Sequence, residues 1–132
     1  MKANELRIGN LIHHNNDGIN EVVEIKSIGY KAEGYSGYYL TYKGGSSTLE
    51  SLFGDDYLNT PIPLTEEWLV KFGYKYKSYG YGEEEWKQWS FKGYSLNGFT
   101  CNTSGVNIKY VHQLQNLYFA LTGEELTIKQ PQ

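Results

Sequence analysis

Hydrophobic and polar residues alternate with a period of two along the N-terminal half of the chain, which predicts short β-strands. Leu6–Ile12 alternates on both sides of Gly9-Asn10, which indicates a first strand with a bend at the glycine. Glu21–Ile28 and Tyr38–Tyr42 continue the pattern, and a shorter strand is expected near Thr48–Leu52. Short strands joined by tight turns predict a small SH3-like barrel or a strongly bent antiparallel sheet.

Two later segments change to the helical period. The first follows Pro61–Pro63, is capped by Thr65 and reaches a natural stop at Gly73. The second covers residues 111–122, where apolar residues recur every three or four positions, and it stops at Gly123. Both segments are therefore predicted to be amphipathic helices.

The residues between the two helices return to strand-like patterns. Tyr74–Tyr110 predicts an antiparallel meander of three or four strands, and Leu126–Ile128 is consistent with a last short strand. The predicted fold class is α+β, with the N-terminal sheet followed by helix, antiparallel meander and helix. We expect a single compact domain over residues 1–132, in which residues 1–60 and 61–132 can form two sub-lobes.

Composition limits the classes of function. The chain has 132 residues, a formal net charge of −3 and one cysteine, Cys101, so neither a disulfide nor charge-driven binding of duplex nucleic acid is expected. It lacks a secretory signal pattern and an apolar run long enough for a membrane span, which favours the cytoplasm and argues against a membrane partner. The 13 tyrosines and 15 glycines indicate a β-rich domain with half-exposed aromatic surface.

The residues that usually carry catalysis or bind metals do not form a recognisable constellation. His13 and His14 are adjacent in a strand and should point to opposite faces, and His112 is expected to be a surface or helix-start residue of the second helix. Glu83–Glu85 and Asp55-Asp56 are expected to be solvated loop acids. We therefore predict a protein that is not an enzyme, with no catalytic residue, metal ligand or cofactor.

Aromatic residues supply the remaining candidates for function. Trp68, Phe72 and Tyr118 are expected to fill the core, whereas tyrosines among glycines in turns are suited to contact a ligand. Alternation places Lys75 and Lys77 on a strand face opposite the aromatic side chains of Tyr74 and Tyr76. The predicted ligand-binding residues are Tyr35, Lys75, Lys77, Tyr79, Tyr81, Trp86 and Trp89.

Three segments together resemble a known family. They are Leu-Arg-Ile-Gly-Asn-Leu at residues 6–11, Pro-Ile-Pro-Leu-Thr-Glu-Glu-Trp-Leu-Val-Lys-Phe-Gly at 61–73, and the helix with its flanks at 110–126. The set resembles a family of small uncharacterised proteins found in Bacteroidetes genomes, their phages and other mobile elements. The resemblance implies a bacterial host or its virus, and it implies no activity, cofactor or catalytic residue.

The leading functional expectation is a non-catalytic phage or mobile-element accessory protein. It would bind and sequester a nucleotide-like ligand, such as a signalling nucleotide of host defence. Aromatic rings would stack on the base, and Lys75, Lys77, Arg7 or backbone N–H groups near glycines would bind the phosphates. Such a pocket would form most readily between subunits of a homo-oligomer. The alternative is a protein-interaction module or virion accessory subunit that uses the same tyrosine-rich surface, and weak binding of single-stranded nucleic acid is a third possibility.

Overall fold

The computed structural model describes residues 5–16, 19–31, 37–42, 45–48, 59–101 and 105–129. Within these residues the fold is α+β, as predicted, with two antiparallel sheets and two α-helices. The helices are α1 (Glu66–Phe72) and α2 (Val111–Thr122). The strands are β1 (Leu11–Asn16), β2 (Ile19–Lys31), β3 (Gly37–Tyr42), β4 (Gly45–Thr48), β5 (Asn59–Thr60), β6 (Lys75–Tyr79), β7 (Trp86–Phe91), β8 (Tyr94–Asn97) and β9 (Thr100–Cys101).

The chain divides into two compact units, and the first contains residues 1–62 and 110–125. Its five-stranded sheet has the order β4-β3-β2-β1-β5 with every neighbour antiparallel. The long strand β2 pairs with both β1 and β3, and its register shifts between Ile25 and Ser27, which is the mark of a β-bulge. Leu6, Ile12 and Ile25 form the buried cluster on this sheet.

Helix α2 is joined to the chain just before β1 by side-chain hydrogen bonds. The buried amide of Gln115 accepts a bond from the Leu11 backbone N–H at 2.8 Å and donates to the Gly9 carbonyl at 3.2 Å. The side chain of Asn116 accepts bonds from Asn10 Nδ2 and Arg7 Nε, both at 2.9 Å. The helix thereby satisfies backbone groups that would otherwise be buried without partners.

Arg7 extends the same network at the end of the helix. Its Nη1 lies 2.7 Å from Glu125 Oε1, and its guanidinium carbon lies 4.2 Å from the centre of the Phe119 ring. The resemblance segments at 6–11 and 110–126 therefore meet in space, and their shared polar residues hold unit 1 together.

The first predicted strand is shorter than expected. Gly9 adopts a φ of 96°, and the Asn10 side chain accepts a bond from the Arg7 N–H at 2.7 Å. The Asn10 N–H also donates to the Arg7 carbonyl at 3.1 Å, and the two bonds close a turn over residues 7–10. Strand β1 therefore begins only at Leu11. Of the expected strand near Thr48–Leu52, only Thr48 lies among the described residues, where it ends β4. The strand order β4-β3-β2-β1-β5 does not confirm an SH3-like barrel, which stays a prediction.

His112 lies at the start of α2, which was one of the two positions expected for it, but it does not lie at the surface. Its side chain is buried, and neither ring nitrogen has a hydrogen-bond partner within the described residues. The buried side of α2 contains polar residues as well as the predicted apolar ones. Gln115 is buried together with Val111, Leu114 and Tyr118. The helix consequently groups with the N-terminal sheet, whereas the predicted sub-lobes placed it with the meander.

The second unit contains residues 63–109 and 126–132. Its four-stranded antiparallel sheet has the simple order β6-β7-β8-β9, as the meander prediction requires. Helix α1 begins after Thr65, whose Oγ1 accepts a bond from the Trp68 N–H at 3.4 Å, and it ends at Gly73. The buried side chains of the unit are Leu64, Trp68, Leu69, Phe72, Tyr74, Trp89, Leu96, Cys101, Ile108 and Leu126.

The structure tests the expected core residues and the expected last strand. Trp68, Phe72 and Tyr118 are buried, which confirms them as core residues. Leu126–Ile128 does not form the expected strand, although the Lys129 N–H donates to the Lys71 carbonyl at 2.8 Å. No helix in the described ranges combines the length and the apolar character needed to cross a membrane.

Candidate ligand-binding face

The pairing of β6 with β7 decides which side chains share a surface in unit 2. Lys77 lies opposite Gln88, and Tyr79 lies opposite Trp86. Because successive residues of a strand point to opposite faces, Lys75 is on the same side as Lys77 and Tyr79. We call the surface formed by Lys75, Lys77, Tyr79, Trp86 and Gln88 the open face.

Two aromatic rings stack at one end of the open face. The ring centres of Tyr79 and Trp86 are 4.9 Å apart, and the ring planes differ by 24°. The Tyr79 hydroxyl also donates to Gln88 Oε1 at 3.4 Å, which places Gln88 on the same side. Each ring covers one side of the other, yet 40% of Tyr79 and 44% of Trp86 stays exposed. A planar group can therefore stack on this pair without displacing it.

The lysines of the open face are available to an anion. Lys75 and Lys77 are exposed, and neither forms an ion pair with any residue that the structure describes. The sequences of strands β6 to β9 contain no aspartate or glutamate. The nearest acids in the chain, Glu83–Glu85, belong to the turn that follows Tyr79. The face is thus aromatic near the turn and basic farther from it.

Trp89 does not belong to the open face, although it was a predicted ligand residue. It is only 2% exposed, and its ring centre lies 4.9 Å from that of Tyr76 on the opposite side of the sheet. The reason is its odd separation of three residues from Trp86, which reverses its direction in a regular strand. Trp89 is therefore a core residue of unit 2.

The other two predicted tyrosines lie apart from this arrangement. Tyr81 is 94% exposed in the turn between β6 and β7, and no ring contact holds it within the described part of the chain. Tyr35 lies outside the described residues. Sequence reasoning also missed Gln88, which alternation from Trp86 would have placed on the open face.

The histidine pair in the middle of β1, His13 and His14, takes part in the sheet of unit 1. His14 Nδ1 lies 2.9 Å from Asn59 Oδ1, and its Nε2 lies 3.0 Å from the Tyr42 hydroxyl. His13 lies opposite Val22 and Thr60, and partial burial lowers the pKa of its imidazole. Among the described residues, no three histidine, cysteine or acidic side chains are grouped as a metal would require.

Comparisons with protein-family models, with curated proteins and with solved structures found no match for this chain. The geometry of the molecule itself therefore carries the functional inference.

Proposed function

We propose that this protein binds a nucleotide-like ligand on the open face and holds it without chemical change. The observation that carries the proposal is the stacked pair of Tyr79 and Trp86 beside two lysines without ion pairs. Aromatic rings stack on bases of any sequence, and lysines bind phosphate as compact positive charges.

The charge distribution favours one orientation of the ligand. Lys77 is a diagonal cross-strand neighbour of Trp86, at a typical distance of about 7–8 Å between such positions. A base stacked on Trp86 would therefore direct its phosphates along the strand toward Lys77 and then Lys75. That direction leads away from the acidic turn at Glu83–Glu85, which would repel an anion.

Gln88 gives the face a means of selecting its ligand. It lies between the lysine row and the aromatic pair, and an amide side chain can donate and accept hydrogen bonds at once. Its carbonyl already accepts from Tyr79, so the amide N–H groups are the atoms that a base or sugar oxygen would meet.

The proposal extends to the biological setting that the sequence resemblance implies. A small phage or mobile-element protein that sequesters a signalling nucleotide would need affinity and a rigid surface, and no catalytic group. An open sheet face is shallow, so a second copy of the chain would deepen the site. Such a protein would act in the cytoplasm of the bacterial host.

A thermal-shift experiment tests the proposal against a panel of nucleoside phosphates and cyclic nucleotides. One member should raise the melting temperature of the protein, and the Trp86→Ala variant should lose that rise. The matched control is Lys26→Ala, which removes one exposed positive charge from unit 1 and should keep the rise. A panel that leaves the melting temperature unchanged would contradict the proposal, and a protein recovered with the chain from infected cells would then favour the interaction module.

A further inference from the structure

A cleft in unit 2 has a different chemistry from the open face. Its volume is about 430 Å³, and it is lined by Glu66, Gly82, Glu85, Trp86, Lys87, Trp89, Gly98 and Phe99. Tryptophan and phenylalanine supply aromatic wall, and two glutamates supply negative charge. Pockets of this volume are large enough to take a side chain or a small molecule.

The two carboxylates of the cleft are not equivalent. Glu66 is bound on both oxygens by Lys87 Nζ, at 3.1 and 2.9 Å. The bond to Glu66 is the main cause that raises the pKa of Lys87, and the charge of Glu85 adds to it. The Glu85 side chain has no hydrogen bond or ion pair with the part of the chain that the structure describes, and only its backbone N–H is bonded, to the Gly82 carbonyl. With one lysine and two glutamates, the cleft retains one negative charge.

We propose that this cleft binds an arginine side chain of a protein partner. A guanidinium is planar, it stacks on aromatic rings, and it forms paired hydrogen bonds with a carboxylate, so it matches the aromatic residues and the Glu85 carboxylate that line the cleft. A phosphate would meet the net negative charge of the cleft and is disfavoured there.

The arginine must come from another molecule. Arg7 is the single arginine of the sequence, and its guanidinium is already bound to Glu125 and Asn116 in unit 1. The approach of a basic partner is favoured by Glu83 and Glu84, which are exposed in the turn directly before Glu85.

The shape of the turn holds Glu85 beside the cleft. Gly80 has a φ of 86°, and a Cβ at this position would lie 2.5 Å from the Glu84 carbonyl oxygen. A side chain at residue 80 would therefore force the turn to move, which indicates that the position of Glu85 is set by the backbone.

Backbone NMR during titration with N-acetyl-arginine amide tests this proposal. The amide signals of Gly82 and Gly98 should shift saturably in the millimolar range, while those of Gly9 and Gly123 in unit 1 stay in place. Glu85→Gln should weaken binding about threefold, as for one solvent-exposed ion pair. Glu83→Gln is the matched control from the same turn: it removes the same charge from a residue that does not line the cleft, so it should weaken binding less than Glu85→Gln.

Two outcomes would overturn the proposal. One is the absence of saturable shifts at Gly82 and Gly98, and the other is an equal response to N-acetyl-lysine amide, which has the charge without the planar fork. Lys77→Ala should leave arginine binding unchanged, because Lys77 lies on the open face. Trp86 lines the cleft and also belongs to the open face, so variants at Lys77 and Glu85, rather than at Trp86, separate the two proposals.

Discussion

Tyr79 and Trp86 face each other across β6 and β7, and their rings stack with centres 4.9 Å apart on the exposed side of the sheet. A cross-strand aromatic pair of this kind usually helps to close a core. Here the core lies on the other side, where Trp89 packs against Tyr76. The exposed pair contributes ordered aromatic surface beside Lys77, and this combination is the basis of the proposed function.

The proposal predicts unequal roles for the aromatic residues near the turn. Trp86→Ala should weaken nucleotide binding by about 5- to 150-fold, since stacking on a base is worth about 1–3 kcal/mol. Tyr81→Ala should have a smaller effect, because Tyr81 has no ring contact to order it and would lose side-chain freedom on binding. Titration calorimetry of both variants checks the order, and a larger loss for Tyr81→Ala would contradict it.

The lysines of the open face predict a dependence on salt. Lys77→Ala and Lys75→Ala should each weaken binding, and each should reduce the sensitivity of the dissociation constant to added salt. The effect should be larger for Lys77, which lies nearer to the aromatic pair. The check is a titration series over several salt concentrations, with Lys26→Ala as the control that keeps the wild-type salt dependence.

A further prediction concerns the stability of unit 1. Gln115→Leu would leave the Leu11 N–H and the Gly9 carbonyl without their partners, so unfolding should become easier by about 2–3 kcal/mol. Glu125→Gln removes only the charge of an exposed ion pair with Arg7 and should cost less than about 1 kcal/mol. Urea unfolding followed by circular dichroism compares the two variants, and equal losses would show that the buried amide has no special role.

His112 predicts that stability falls in mild acid. Burial lowers the pKa of its imidazole, and the carboxylate of Glu5 opposes this shift only in part. The folded state therefore stays neutral while the unfolded state takes up a proton below its ordinary pKa of about 6.5. This contribution is complete above that pH and is lost as the pH falls, by at most about 1.4 kcal/mol per pH unit.

The variant that tests this account is His112→Leu. It removes the buried ring nitrogens, which have no partners within the described residues, so it should be about as stable as the wild type at neutral pH and less sensitive to acid. A residual slope is expected from His13, whose pKa is also lowered by burial. Urea unfolding at a series of pH values checks this, and an unchanged slope in the variant would exclude His112 as the cause.

The sequence predicted the helices and the meander well because their signals are local. Thr65 and Gly73 mark the ends of α1 by cap chemistry alone, and alternation placed Lys77 on the face of β6 opposite Tyr76. The inward direction of Gln115 was beyond such reasoning, because its hydrogen bonds reach Gly9 and Leu11, which are about one hundred positions away in the chain.

Contacts between distant parts of the chain also explain why only part of the candidate site was predicted. Tyr79, Trp86 and the lysines were identified from composition and local pattern, but their common face follows from the register of β6 against β7. That register also moved Trp89 into the core. The cleft beside Glu66 combines helix and sheet residues far apart in sequence, and no local pattern indicated it.

The most direct test of the nucleotide site uses the indole N–H signals of the three tryptophans in an NMR titration. Trp68 and Trp89 are buried, whereas Trp86 is exposed on the open face. Addition of the nucleotide that stabilises the protein should shift the Trp86 signal saturably and leave the other two nearly unchanged, and Lys77→Ala should raise the concentration required. A Trp86 signal that stays in place while that nucleotide binds would contradict the account.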